Sequence, residues 1–132
     1  MSGIDLVRNR LIDYPDLEIT EGNEWLTVIG SPGGFNATIR GSGEDSVVSA
    51  GLWHEHFDDS ESAADCFCWL LTPLTRIVER RKGKHVVSAR LERNEGSNWV
   101  SLGQTTLMIQ NPFVRPTEIV LQNNLITKER PQ

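Results

Sequence analysis

The sequence predicts an α+β fold: a curved, mainly antiparallel sheet of about six to eight strands, with one central helix at about residues 60–72 packed on it and a short N-terminal helix. Three observations carry this prediction. Apolar residues alternate with polar ones over most of the chain, as they do in strands with one face buried. Short breaks rich in Gly, Asn and Pro divide those runs at hairpin-like intervals. One stretch, near the middle, changes to the helical period.

The elements follow in order. Ile4, Val7, Leu11 and Ile12 fall at i, i+3, i+7 and i+8, one helical face, so residues 4–12 read as a short amphipathic helix. Pro15 ends it, because proline disfavours the helical conformation in the residue before it. Residues 17–20 and 25–29 alternate and read as paired strands around Glu21-Gly22-Asn23-Glu24. Ser31-Pro32-Gly33-Gly34 is a turn, residues 35–40 alternate again, and Gly41-Ser42-Gly43 breaks the chain. Residues 46–57 read as one long strand, with Gly51 marking a bulge. Asp58 or Asp59 then caps the main helix, and Glu61, three residues after Asp58, suits a capping box. Ala63, Phe67, Leu70 and Leu71 form its apolar stripe, and Pro73 closes it at about Thr72. The last third reads as a meander. Residues 75–81 and 85–93 flank Lys82-Gly83-Lys84, residues 94–98 turn, and residues 99–110 and 118–125 supply the closing strands. Asn111-Pro112 and Arg115-Pro116 interrupt between those two strands, and residues 127–132 read as a frayed tail.

The whole chain, residues 1–132, reads as a single domain, close to the commonest domain size of roughly 100–150 residues. Charged residues make up 23% and hydrophobic ones 38%, which is a globular balance rather than a disordered one. The longest apolar run, Cys66 to Leu71, is far short of the roughly 20 residues that span a bilayer. Residues 1–10 mix Asp5, Arg8 and Arg10 with apolar residues and do not read as a secretory signal, so the expected compartment is the cytoplasm. Cys66 and Cys68 point about 200° apart on a helix and are expected as two buried or half-buried free thiols.

The net charge of −5 argues against general nucleic-acid binding, which needs a basic face. Charge is also segregated along the chain. Residues 41–75 carry Glu44, Asp45, Glu55, Asp58, Asp59, Glu61 and Asp65 with no Lys or Arg. Residues 76–93 carry Arg76, Arg80, Arg81, Lys82, Lys84, Arg90 and Arg93 against Glu79 and Glu92. The two segments either neutralise each other across the fold, stay solvated, or form a face that recognises a charged partner.

The segment richest in chemistry is Trp53-His54-Glu55-His56-Phe57-Asp58-Asp59. On a strand His54, His56 and Asp58 share one face, and two imidazoles with a carboxylate suit Zn²⁺ or Fe²⁺. Alternation of polar residues on a half-exposed strand gives the same pattern without any metal. Gly30-Ser31-Pro32-Gly33-Gly34 lacks the Lys-Ser/Thr of a phosphate loop and reads as a hairpin connection. There is no nucleophile elbow and no Cys with an evident His partner. Trp25, Trp53, Trp69 and Trp99 read as core aromatics, with Trp53 and Trp69, which flank the acidic stretch, as the alternative interface anchors.

The runs Trp53-His54-Glu55-His56-Phe57-Asp58-Asp59, Phe67-Cys68-Trp69-Leu70-Leu71-Thr72-Pro73 and Arg76-Ile77-Val78-Glu79 resemble a group of small uncharacterised bacterial proteins. Leu91-Glu92 with Trp99, and Leu121-Gln122-Asn123, extend the likeness to about residue 124. In size and acidity the chain is also similar in general character to immunity proteins of bacterial toxin systems. That resemblance implies a non-enzymatic cytoplasmic inhibitor without a cofactor, whose partner is a basic toxin domain rather than nucleic acid or membrane. The expected partner-binding residues are Trp53, Glu55, Asp58, Asp59, Glu61 and Asp65. The alternatives are a small metal-dependent enzyme using His54, His56 and Asp58, and a homo-oligomeric structural domain in which acidic and basic segments pair between subunits.

Overall fold

A computed structural model describes residues 2–106 and 117–126. The expected end of the 99–110 strand, the two proline interruptions and the 127–132 tail lie outside them. The described residues form two helices and nine strands in two antiparallel sheets. The order is α1 (Gly3–Leu11), β1 (Ile19–Glu21), β2 (Trp25–Val28), β3 (Ala37–Arg40), β4 (Ser46–Ala50), β5 (Trp53–Phe57), α2 (Ser60–Leu70), β6 (Thr75–Lys82), β7 (His85–Glu95), β8 (Asn98–Thr106) and β9 (Thr117–Leu121). Strands β1 to β5 form one meander, here sheet A, and sheet B runs β8-β7-β6-β9.

The α+β class holds, but the single sheet of six to eight strands does not. Residues 46–57 are two strands, not one: β4 and β5 pair from Ser46 with Phe57 to Ala50 with Trp53. Gly51, at φ 61°, is the first residue of a two-residue turn, the position that a hairpin of this kind reserves for glycine. A tight hairpin leaves the apolar alternation unbroken on both sides, so the period alone does not separate it from a bulge.

Helix α1 begins one residue earlier than its apolar stripe, because Ser2 caps it in a reciprocal box with Asp5. Asp59 caps α2, its carboxylate accepting from the Ser62 amide at 2.9 Å and the Ser62 hydroxyl at 2.6 Å; Glu61 is not the reciprocal partner. Both helices lie against each other, and α2 packs on β3, β4 and β5 and touches β6. One apolar cluster runs from Ile4, Val7 and Leu11 through Ile39, Val48, Trp53, Phe67 and Leu70 to Ile77, Leu91 and Ile126. The opposite face of sheet A is left to solvent, with Trp25, Arg40, His54 and His56 exposed there.

Asn123 locks the two sheets together. Its side chain is 0% exposed, and every hydrogen-bonding group on it is used. The amides of Ser31 and Phe35 donate to its Oδ1 at 3.2 and 3.1 Å, and its Nδ2 donates to the carbonyls of Phe35 and Leu70 at 2.9 and 3.0 Å. The amides of Leu125 and Ile126 both donate to the Leu71 carbonyl at 3.0 Å. The segment after β9 therefore supplies partners for the last carbonyls of α2, which have none inside the helix. Gly34 makes room for this: a Cβ there would stand 2.0 Å from Asn123 Oδ1.

Candidate functional site

The segment from Trp53 to Asp59 divides between the two faces of sheet A. Trp53, Glu55 and Phe57 stand opposite Ala50, Val48 and Ser46, so they share the inner face. Trp53 is 1% exposed and belongs to the core. Its indole fills the junction with sheet B, with Nε1 3.6 Å from where a Cβ on Gly103 would lie. It therefore cannot act as the surface anchor that the sequence suggested. Strand position alone does not say whether an inward aromatic lies under a second sheet.

His54 and His56 share the open face, as alternation requires, but Asp58 does not join them, because β5 ends at Phe57 and the chain turns into α2. The Nδ1 of His54 lies 3.1 Å from the Leu52 carbonyl, and His56 Nε2 is 3.9 Å from Asp45 Oδ1. Among the described residues no group of three or more His, Cys, Asp or Glu is placed to hold a metal ion. The expected His54, His56 and Asp58 centre is not assembled.

The acidic residues gather around α2. Glu44 accepts from the Ser60 amide at 3.3 Å and Asp59 caps the helix, so two carboxylates serve its electropositive N-terminus. Hydrogen bonds from Ser62, side chain and backbone, hold the Asp59 carboxyl below its ordinary value. Glu55 and Asp58 are exposed beside them. Along the helix, Glu61, Asp65 and Trp69 recur every fourth residue and form one exposed stripe. Arg10 on α1 reaches Glu61 at 3.0 Å and Asp65 at 2.7 Å, leaving both carboxylates more than half exposed. Trp69 is 38% exposed, and it is the tryptophan that joins the acidic surface. Its spacing from Glu61 and Asp65 was visible in the sequence; Arg10 and Glu44 carried no comparable signal there.

Both cysteines are half-buried thiols outside any disulfide among the described residues. Burial, reinforced by the nearby Glu55 carboxylate, pushes the Cys66 thiol up to about 12, so it stays protonated and unreactive at neutral pH.

Segregated charge in the sequence remains segregated in space. Described residues up to 65, which contain α1 and all of sheet A, hold thirteen Asp and Glu against three Lys and Arg, whereas those from 66 on hold four against seven. On sheet B much of the charge is paired within the sheet. Glu92 accepts from Arg76 and Arg90, each at 2.7 Å; Arg90 also meets Glu118 at 3.4 Å; Arg81 pairs with Glu79 at 2.6 Å, and Arg93 with Glu95. The Arg76 guanidinium also lies 4.1 Å over the ring of Trp99. Burial alone would raise the Glu92 carboxyl, but its two arginine partners outweigh that and hold it below its ordinary value.

Among the described residues, no helix is long and apolar enough to cross a membrane. Compared with protein-family models, curated proteins and solved structures, the chain finds no match.

Proposed function

We propose that the chain is a non-enzymatic protein-binding module, an immunity-type inhibitor in the cytoplasm whose acidic surface covers the basic cleft of a toxin domain. One observation carries the reading: α2 presents Glu61, Asp65 and Trp69 as a single exposed stripe beside Glu55, Asp58 and Asp59. Carboxylates placed this way steer a basic partner and raise the association rate. An exposed tryptophan among them supplies the desolvated anchor that slows dissociation. Arg10 fixes two of the carboxylates without burying them, which lowers the entropy lost when a partner docks.

The test is quantitative capture from the native cell lysate with wild-type protein, Trp69→Ala, and the pair Glu61→Lys with Asp65→Lys. A stoichiometric basic protein held by wild type at low salt, released by high salt and lost by both variants supports the reading. Equal capture by all three overturns it.

A second reading is favoured by the unequal charge of the two halves: copies of the chain associate head to tail, the acidic half of one against sheet B of the next. Sizing chromatography across a salt series distinguishes it, since such an assembly dissociates as salt rises.

A further inference from the structure

The acidic half contains three basic residues, and the structure uses them differently. Arg8 holds Asp5 at 3.1 Å and Glu21 at 2.5 Å, and Arg10 holds Glu61 and Asp65. Arg40, in a half with thirteen carboxylates, is exposed on the open face of sheet A, and its side chain makes no hydrogen bond or ion pair among the described residues.

Its surroundings are not those of an idle surface arginine. Register places Thr27, Thr38, Ser49 and His54 side by side across four strands. Thr38, Ser49 and His54 line an open depression of about 390 Å³ together with Arg40 and Gly51. Clefts that take small ligands fall at about 300–1,000 Å³. Gly51 lines one end, where a Cβ would lie 3.2 Å from the Oε2 of Glu79, a carboxylate paired with Arg81. The Thr27 and Thr38 hydroxyls share one hydrogen bond at 2.8 Å; when Thr27 donates it, the Thr38 proton is free to point into the depression. The Leu52 carbonyl can only accept, so His54 Nδ1, 3.1 Å from it, carries the proton, and Nε2 is left to accept, as from a P–OH. Among the described residues, no carboxylate lines the depression itself.

We infer that Arg40, Thr38, Ser49 and His54 form an oxyanion site for a small phosphate-bearing ligand, separate from the acidic surface around α2. The guanidinium fork suits two oxygens of a tetrahedral group. The hydroxyls and the imidazole suit the third, an oxygen that a carboxylate does not have.

The test titrates the isotope-labelled full chain with inorganic phosphate against sodium chloride and sodium acetate at matched ionic strength, reading backbone amide shifts. Saturable shifts confined to residues 38–40, 49–51 and 54 are expected with phosphate alone. Arg40→Ala and Arg40→Gln should each weaken binding at least tenfold while keeping the wild-type melting temperature, since the Arg40 side chain bonds to none of the described residues. His54→Ala should weaken it several-fold. Shifts with phosphate no larger than with chloride, wild-type affinity in both Arg40 variants, or acetate binding as tightly as phosphate would each overturn the assignment.

Discussion

The two sheets handle charge in opposite ways. Sheet B places arginine beside glutamate both along and across its strands, so that Arg76, Arg90 and Glu92, or Arg81 and Glu79, satisfy one another, half-buried or buried. Sheet A and the helices carry an excess of carboxylates, most of them exposed, and hold only a few with Arg8 and Arg10. Charge that is paired and buried contributes to architecture. Charge left exposed contributes little to stability, because water and salt screen it, and remains available to a partner. Substitutions in the two regions should therefore separate stability from binding.

The largest expected effect is at the lock between them. Asn123→Ala removes four hydrogen bonds to backbone groups, three of them buried, and leaves the amides of Ser31 and Phe35 and two carbonyls without these partners. Each orphaned group costs about 1–3 kcal/mol, so a loss of roughly 3–5 kcal/mol is expected in urea unfolding, after partial rehydration. A loss under about 1 kcal/mol would mean that the sheets hold together without Asn123.

Next is Glu92→Gln on sheet B, expected to cost about 1–3 kcal/mol at neutral pH through its two charge-assisted hydrogen bonds. The pH dependence has a definite sign. Because the folded Glu92 carboxyl lies below its ordinary value of 4.5, its contribution is present above pH 4.5 and disappears as pH falls through the folded value. Thermal melts of wild type and Glu92→Gln should therefore converge in acid and diverge near neutrality.

The smallest effect on stability is expected on the acidic side. Glu61→Gln with Asp65→Asn breaks two exposed pairs to Arg10 and should cost no more than about 1 kcal/mol, less at high salt. Chemical denaturation at low and high salt checks both parts.

Legibility from sequence followed how local each signal was. The ends of α2 were readable because an acidic cap, an apolar stripe and Pro73 all act within a turn or two. The β6–β7 hairpin was readable from Gly83, which sits at φ 61°. The β4–β5 hairpin was missed because the alternation shifts by only one residue at Gly51-Leu52, the same shift that a bulge would give. The tryptophans of the acidic stretch could not be sorted, since Trp53 is buried by sheet B, distant in sequence, while Trp69 lies on the outer stripe of its own helix. Asn123 read as an ordinary polar residue near the end of the chain, and only the tertiary fold brings four backbone groups around it. Sheet B's pairing depended on register, and two bulges, between Arg80 and Arg81 and between Leu91 and Glu92, shift that register in ways no pattern announces.

The central claim is that α2's exposed stripe binds a basic partner while sheet B's paired charges only hold the fold. The most direct test measures, for the partner recovered from lysate, the affinity of wild type, Trp69→Ala and Glu92→Gln side by side. The account predicts a loss of about a hundredfold for Trp69→Ala, roughly 2.7 kcal/mol, with little change for Glu92→Gln. Undiminished binding by Trp69→Ala, or an equal loss in both variants, would contradict it.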